Sequence, residues 1–141
     1  MIVLLVVCFS AKAQHTARNV PAIVLNAFQQ EFPKARQVEW EQRKDGSFEV
    51  EFNMGMVRRD QKVFFSPDGT MLKHEEELPA SALPDVIRDQ LRTAFDGYRV
   101  DEVRKIEEFG KITYAVDLER PSGDLKVLFG ADGKVLKERM D

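Results

Sequence analysis

Hydrophobic positions change their period along the chain, and they do so twice in the same order. Val20, Val24, Phe28 and Phe32 fall four apart, which predicts a helix with one apolar stripe. Beyond Pro33 the period drops to two, in Val38 and Trp40, then Phe48, Val50 and Phe52, then Val63 and Phe65, the pattern of strands with one buried face. The helical period returns at Ile87, Leu91 and Phe95, and the strand period at Tyr114, Val116 and Leu118 and again at Val127 and Phe129. Val20-Pro21 reappears as Leu83-Pro84, and Asp68-Gly69 with Leu72 as Asp132-Gly133 with Leu136, at a near-constant offset of about 63–66 residues. So many anchors in one order point to a duplicated unit. Pro21 and Pro84 suit the first helical position, where a missing N–H costs nothing. Pro33 and Gly97 stop the two helices.

Turn chemistry sets the strand register in the first unit. Lys44-Asp45-Gly46 suits a three-residue hairpin loop with Gly46 left-handed. It pairs Val38 with Phe52, Trp40 with Val50 and Gln42 with Phe48, so apolar residues share a face. A two-residue loop would set Trp40 against Glu51 and scramble both faces, because a one-residue slip flips every side chain. Residues 53–56 make the next turn, expected to pair Phe52 with Val57 and Glu51 with Arg58. Ser66-Pro67-Asp68-Gly69 carries a type I turn signal and would set Phe64 beside Leu72. A short strand from Thr70 to about Glu75 closes the unit. The second unit reads in the same order, with turns at Gly110, at 121–123 and at Asp132-Gly133. Its first strand, 100–106, has an open register, since Val100 and Ile106 share one parity and Val103 has the other.

The N-terminus bears on compartment. Residues 2–9 are unbroken apolar and lead into Ser10-Ala11-Lys12-Ala13, so residues 1–13 read as a signal peptide cleaved after Ala13. The run is less than half of the ~20 residues that a membrane-spanning helix needs. No Lys or Arg precedes it, which suggests a start codon further upstream. Val7 before Cys8, where a small residue is needed, argues against a lipoprotein. Residues 14–19 read as a flexible segment, 20–77 as the first repeat and 78–141 as the second, in a periplasmic or secreted protein. The chain carries 21 basic and 24 acidic residues, a net charge of -3, with no basic block. A nucleic-acid partner is therefore not expected. Cys8, the one cysteine, lies in the leader, so the exported chain has no disulfide, Cys-ligated zinc or thiol chemistry.

At these residues the chain resembles the PepSY-like domains, also described as β-lactamase-inhibitor-like. The resemblance rests on Val20-Pro21 followed by Phe28, on FPKARQVEW leading into DGSFEVEF, and on an F-x-x-D-G-x-x-L ending at Phe65 to Leu72 and again at Phe129 to Leu136. It covers nearly all of the chain beyond the leader. It implies an α+β fold: two tandem α-β4 repeats forming one antiparallel sheet, with the helices packed on one face. It also implies binding or inhibition rather than catalysis, without implying that this chain inhibits a β-lactamase.

The residues alone argue in the same direction. His15 sits beside the cleavage point, and His74 lies in an acidic strand end with no second histidine nearby, so it reads as a surface residue. There is no nucleophile elbow, phosphate-binding glycine loop or His-Glu-x-x-His zinc signature. Neither enzyme activity nor a cofactor or metal is expected. On the outer face the register sets Glu39 against Glu51 and Glu41 against Glu49, an unfavourable opposition of like charges. Arg58 and Lys62 would neutralise them on a solvated face, or the carboxylates would meet a cation or a basic partner. Glu75-Glu76-Glu77 reads as a solvated linker. Phe64, Leu72, Leu128 and Leu136 have the parity that points away from the helices, and large apolar residues on an uncovered face mark a contact surface. The candidate partner-binding residues are therefore Phe64, Leu72, Leu128 and Leu136 together with Glu49, Glu51, Arg58 and Lys62. The expected partner is a protein or peptide; the alternative is a structural envelope protein in which that face closes a homodimer.

Overall fold

The computed structural model describes residues 17–55 and 59–141, with Arg18 by its backbone. The leader, its cleavage point and Arg58 lie outside the described residues. Helix α1 (Ala22–Glu31) is followed by β1 (Arg36–Gln42), β2 (Phe48–Met54), β3 (Arg59–Phe65) and β4 (Met71–Leu78). Helix α2 (Asp85–Thr93) then precedes β5 (Arg99–Glu108), β6 (Lys111–Glu119), β7 (Leu125–Gly130) and β8 (Val135–Met140). All eight strands form one antiparallel sheet in sequence order. The fold is two tandem α-β4 repeats.

Each helix buries its stripe on the sheet. Val24, Phe28 and Phe32 close a core with Trp40, Phe48, Val50, Phe52, Val63 and Phe65. Ile87 and Phe95 close a second core with Val103, Val116, Leu118, Leu125, Val127 and Phe129. The two cores share no residue, so each unit buries its own apolar surface. Strand pairing carries one face through both: Val63 pairs with His74 and, four residues on, Leu78 pairs with Val103. Both helices therefore cover the same side of the sheet. Pro21 and Pro84 sit one position earlier than the spacing suggests. Both have extended ψ, 143° and 144°, and act as N-caps whose carbonyls accept the first helical hydrogen bonds.

The first hairpin has the three-residue loop. Arg43 N–H donates to Ser47 O at 2.9 Å and Gly46 takes φ +86°. Trp40 faces Val50 and Gln42 faces Phe48. The expected partnering of Val38 with Phe52 fails, because the register shifts between Arg36 and Glu39 and Gln37 adopts φ +52°. This bulge turns Val38 outward, 39% exposed. A bulge also settles the ambiguous first strand of the second unit. The register shifts between Val100 and Glu102, so Val100 faces Leu118 and Val103 faces Val116, both toward α2.

Two other expectations are corrected. Phe52 pairs with Gln61 and Glu51 with Lys62, rather than with Val57 and Arg58. The strands pair as far as Met54 with Arg59, so the connection lies two positions further along the chain than expected, and the resulting slip of four residues in pairing, being even, leaves each face unchanged. Glu75-Glu76-Glu77 is not a linker but part of β4, paired with Ile106, Lys105 and Arg104. This pairing joins the two units into one sheet.

Candidate functional site

Neither α1 nor α2 covers the opposite face of the sheet; a short 3-10 turn at Ala17–Asn19 contacts β1, and Ala17 helps line a hollow on this face. On its first-unit half, Glu39 faces Glu51 and Glu41 faces Glu49, as the loop length requires. Glu49 is only 5% exposed. Its carboxylate takes Arg43 Nη1 at 2.5 Å and Lys62 Nζ at 3.0 Å, and Lys62 also reaches Glu51 at 2.8 Å. Burial works against both charges, yet pairing outweighs it. Glu49 is held below the usual glutamate range, and Lys62 above the usual lysine range. Among the described residues, the cations that answer Glu49 and Glu51 are thus Lys62 and Arg43. Arg43 is a residue that sequence reasoning missed, because it lies in the loop beyond the strand and reaches back only once the hairpin closes.

The apolar candidates are placed less simply than parity suggests. Phe64 faces Lys73 and Phe65 faces Met71, so the register shifts and Leu72 is an extra residue in a bulge. Met71 and His74 both pair with helix-side residues, which leaves Leu72 and Lys73 together opposite Phe64. Phe64 does not stand side by side with Leu72 alone; Arg43 and Lys73 lie over its ring, 5.2 and 5.3 Å from the centroid. The second unit repeats the bulge, with Leu128 facing Lys137, Phe129 facing Val135, and Leu136 45% exposed. Strand alternation alone does not report these bulges.

A hollow of about 930 Å³ lies over this face, its lining including Glu39, Glu51, Lys62, Glu75, Glu77 and Arg104. Glu75 bonds Lys73 at 3.0 Å, and Arg104 lies 3.7 Å from Glu75 and 3.6 Å from Glu102. The surface is a set of linked ion pairs broken by a few apolar side chains.

His74 is not the surface residue expected. It is half-buried on the helix side, its ring edge against Phe32 at 5.3 Å and Nε2 2.8 Å from Gln61 Oε1. Burial pushes its pKa below the ordinary value, against the raising effect of Glu76 and Glu107. Among the described residues, no group of three or more His, Cys, Asp or Glu is placed to share a metal ion. No described helix is long and apolar enough to cross a membrane.

Similar folds occur in solved structures. One from Bacteroides eggerthii DSM 20697, described as putative periplasmic proteins, superposes with TM-score 0.76 at 19% identity, covering 86% of this chain and 88% of the other. A DUF2874 family protein from Bacteroides ovatus ATCC 8483 gives 0.73 at 21% identity over 85% and 86%. A BLIP-like protein from Bacteroides fragilis NCTC 9343 gives 0.70 at 20% identity over 85% of each chain. At these identities the likeness is one of fold. None of the curated proteins matches the chain. The family model described as "Putative beta-lactamase-inhibitor-like, PepSY-like" matches twice, over residues 10–73 and 46–137, which between them span both repeats. With both units matched, the chain belongs to the PepSY-like, β-lactamase-inhibitor-like family.

Proposed function

We propose that the protein is a non-catalytic binding module of the cell envelope, exported by cleavage after Ala13, whose open sheet face takes a protein or peptide. The observation that carries this reading is the asymmetry of the sheet. One face is sealed by both helices over two cores, while the other offers a broad hollow lined by charged residues and, elsewhere on the same face, the partly exposed Phe64, Leu72, Leu128 and Leu136. Large apolar residues on an uncovered face supply anchors, and the surrounding ion pairs supply selectivity. The periplasmic description of a fold neighbour supports the compartment. Glu49 contributes by holding Arg43 and Lys62 in place, since its own oxygens are already engaged.

The test is capture from periplasmic extract with matched variants. Leu128→Asp and Phe64→Ala should each weaken capture of whatever the wild type retains. Ile23→Ser, on the outward side of α1 and 56% exposed, should leave it unchanged. Equal capture by all three variants would sink the open-face reading.

A further inference from the structure

The two repeats have diverged at one place on the open face. Trp40, Val50 and Val63 in the first unit correspond in sequence offset and pairing to Val103, Val116 and Val127 in the second, all buried beneath their helix. By the same offset, Arg43, Glu49 and Phe64 correspond to Ile106, Ala115 and Leu128. Where the first unit packs a salt bridge and an aromatic ring under two cations, the second has an aliphatic residue, a methyl group and a leucine. Ile106, Ala115 and Leu128 are each partly exposed, and nothing described covers them.

Charges around this patch are arranged by side. One row across the sheet runs Glu77, Arg104, Ala115, Leu128, Lys137, and the next runs Glu102, Asp117, Lys126, Arg139. Carboxylates thus predominate on the β4–β5 side, where Arg104 lies 3.6 Å from Glu102, and cations on the β7–β8 side, where Asp141 lies 3.4 Å from Lys126 and 3.2 Å from Arg139, with the short side chains of Thr113 and Ala115 between them on β6. A two-fold rotation about an axis along β6 brings two such faces together. It lays β8 of one copy over β4 of the other, and β7 over β5. Lys137 then meets Glu77, Lys126 meets Glu102, and Leu128 meets Ile106 and the aliphatic stem of Arg104. Asp117, also on the axis strand, has Lys126 beside it in its own sheet. The contact is self-complementary, as an isologous dimer must be, and the short residues at the axis allow close packing of two sheets about 10 Å apart.

We infer that the second-unit half of the open face binds a second copy of this chain, in a two-fold dimer with its axis along β6. This rests on the reading of the open face as a binding surface, and it names the occupant of one half. The first-unit half at β1–β3 stays uncovered for another partner.

Sedimentation of protein recovered from the cell envelope tests the inference. A concentration-dependent dimer is expected, stronger at low salt than at 1 M, where the screening length falls to about 3 Å. Glu77→Lys or Lys137→Glu alone should raise the dimer dissociation constant about tenfold or more, and the double variant should recover most of the loss. Far-UV circular dichroism and melting establish that each variant is folded. If either is not, the Glu102→Lys and Lys126→Glu pair asks the same question. A monomer at every attainable concentration, a dimer indifferent to the single swaps, or a double variant no better than the singles would each overturn the dimer. A monomer that still shows face-dependent capture would leave the binding-module reading standing, whereas a charge-swap dimer without such capture would remove that reading and keep the dimer.

Discussion

Phe65 is 1% exposed with its ring 6.3 Å from Trp40, while its neighbour Phe64 lies on the other face between Arg43 and Lys73. Truncation should separate the two. Phe65→Ala opens a cavity in a closed core and should cost about 3–5 kcal/mol in urea denaturation. Phe64→Ala exposes no core and should cost about 1 kcal/mol, mostly lost ring–cation contact. Equal costs would make Phe64 core and remove it from the binding surface. Acid should act at two residues. The folded pKa of His74 is depressed, so its contribution to stability is present above its unfolded value of 6.5 and is lost as pH falls from there through the folded value. Glu49 is also depressed, and its contribution is lost lower, as pH falls below 4.5 through its folded value. Denaturation midpoints should therefore fall in two stages on acidification. His74→Gln should flatten the upper stage only. A midpoint in that variant that still drops between neutrality and about pH 5 as in wild type would assign the upper stage elsewhere.

At the scale of elements, the Asp-Gly turns do more than reverse the chain. The β3–β4 turn closes with Gly69 N–H donating to Ser66 O at 3.0 Å, and Asp68 accepts from the Thr70 N–H at 3.0 Å. It also docks on α1, where a Cβ on Gly69 would come within 3.1 Å of the Ile23 carbonyl oxygen. The β7–β8 turn docks on α2 through Gln90, whose amide donates to the Gly133 carbonyl. Each turn is thus clamped to the helix that opens its unit, which ties the far strand of the repeat to its start. Gly46, in the first hairpin, has the same left-handed φ but open space around it. Gly46→Ala should cost about 1–2 kcal/mol, the backbone strain alone. Gly69→Ala should cost about 1–3 kcal/mol more, because α1 must also give way. Chemical denaturation of the two variants side by side measures the clamp, and equal losses would show that it contributes nothing.

At the scale of the whole molecule, two self-sufficient cores are joined by the pairing of β4 with β5 rather than by shared side chains. The duplicated unit therefore keeps its inner face nearly constant and is free to vary its outer face. That is how one half came to hold Arg43, Glu49 and Phe64 and the other Ile106, Ala115 and Leu128. Export belongs to this scale too. Intact mass of envelope-recovered protein should place the N-terminus at Gln14, and a retained leader or a lipid on Cys8 would overturn the compartment.

The duplication, the helix stripes, the buried parity of each strand and the three-residue first hairpin were legible in the residues, because each depends on spacing along a single chain. Val24, Phe28, Val50 and Val63 had no other way to bury their side chains. The bulges at Gln37, between Val100 and Glu102, and at Leu72 and Leu136 were decided by the tertiary fold. Each adds an extra residue to one strand of a pair, and the alternation of apolar and polar positions carries no mark of it. The same holds for Arg43 over Glu49 and for His74 under Phe32. Both contacts join residues that meet only after strands have paired and a helix has been laid across them. The sequence by itself thus determined which residues must be buried, while the tertiary structure decided which charges and rings stand beside one another on the face left open.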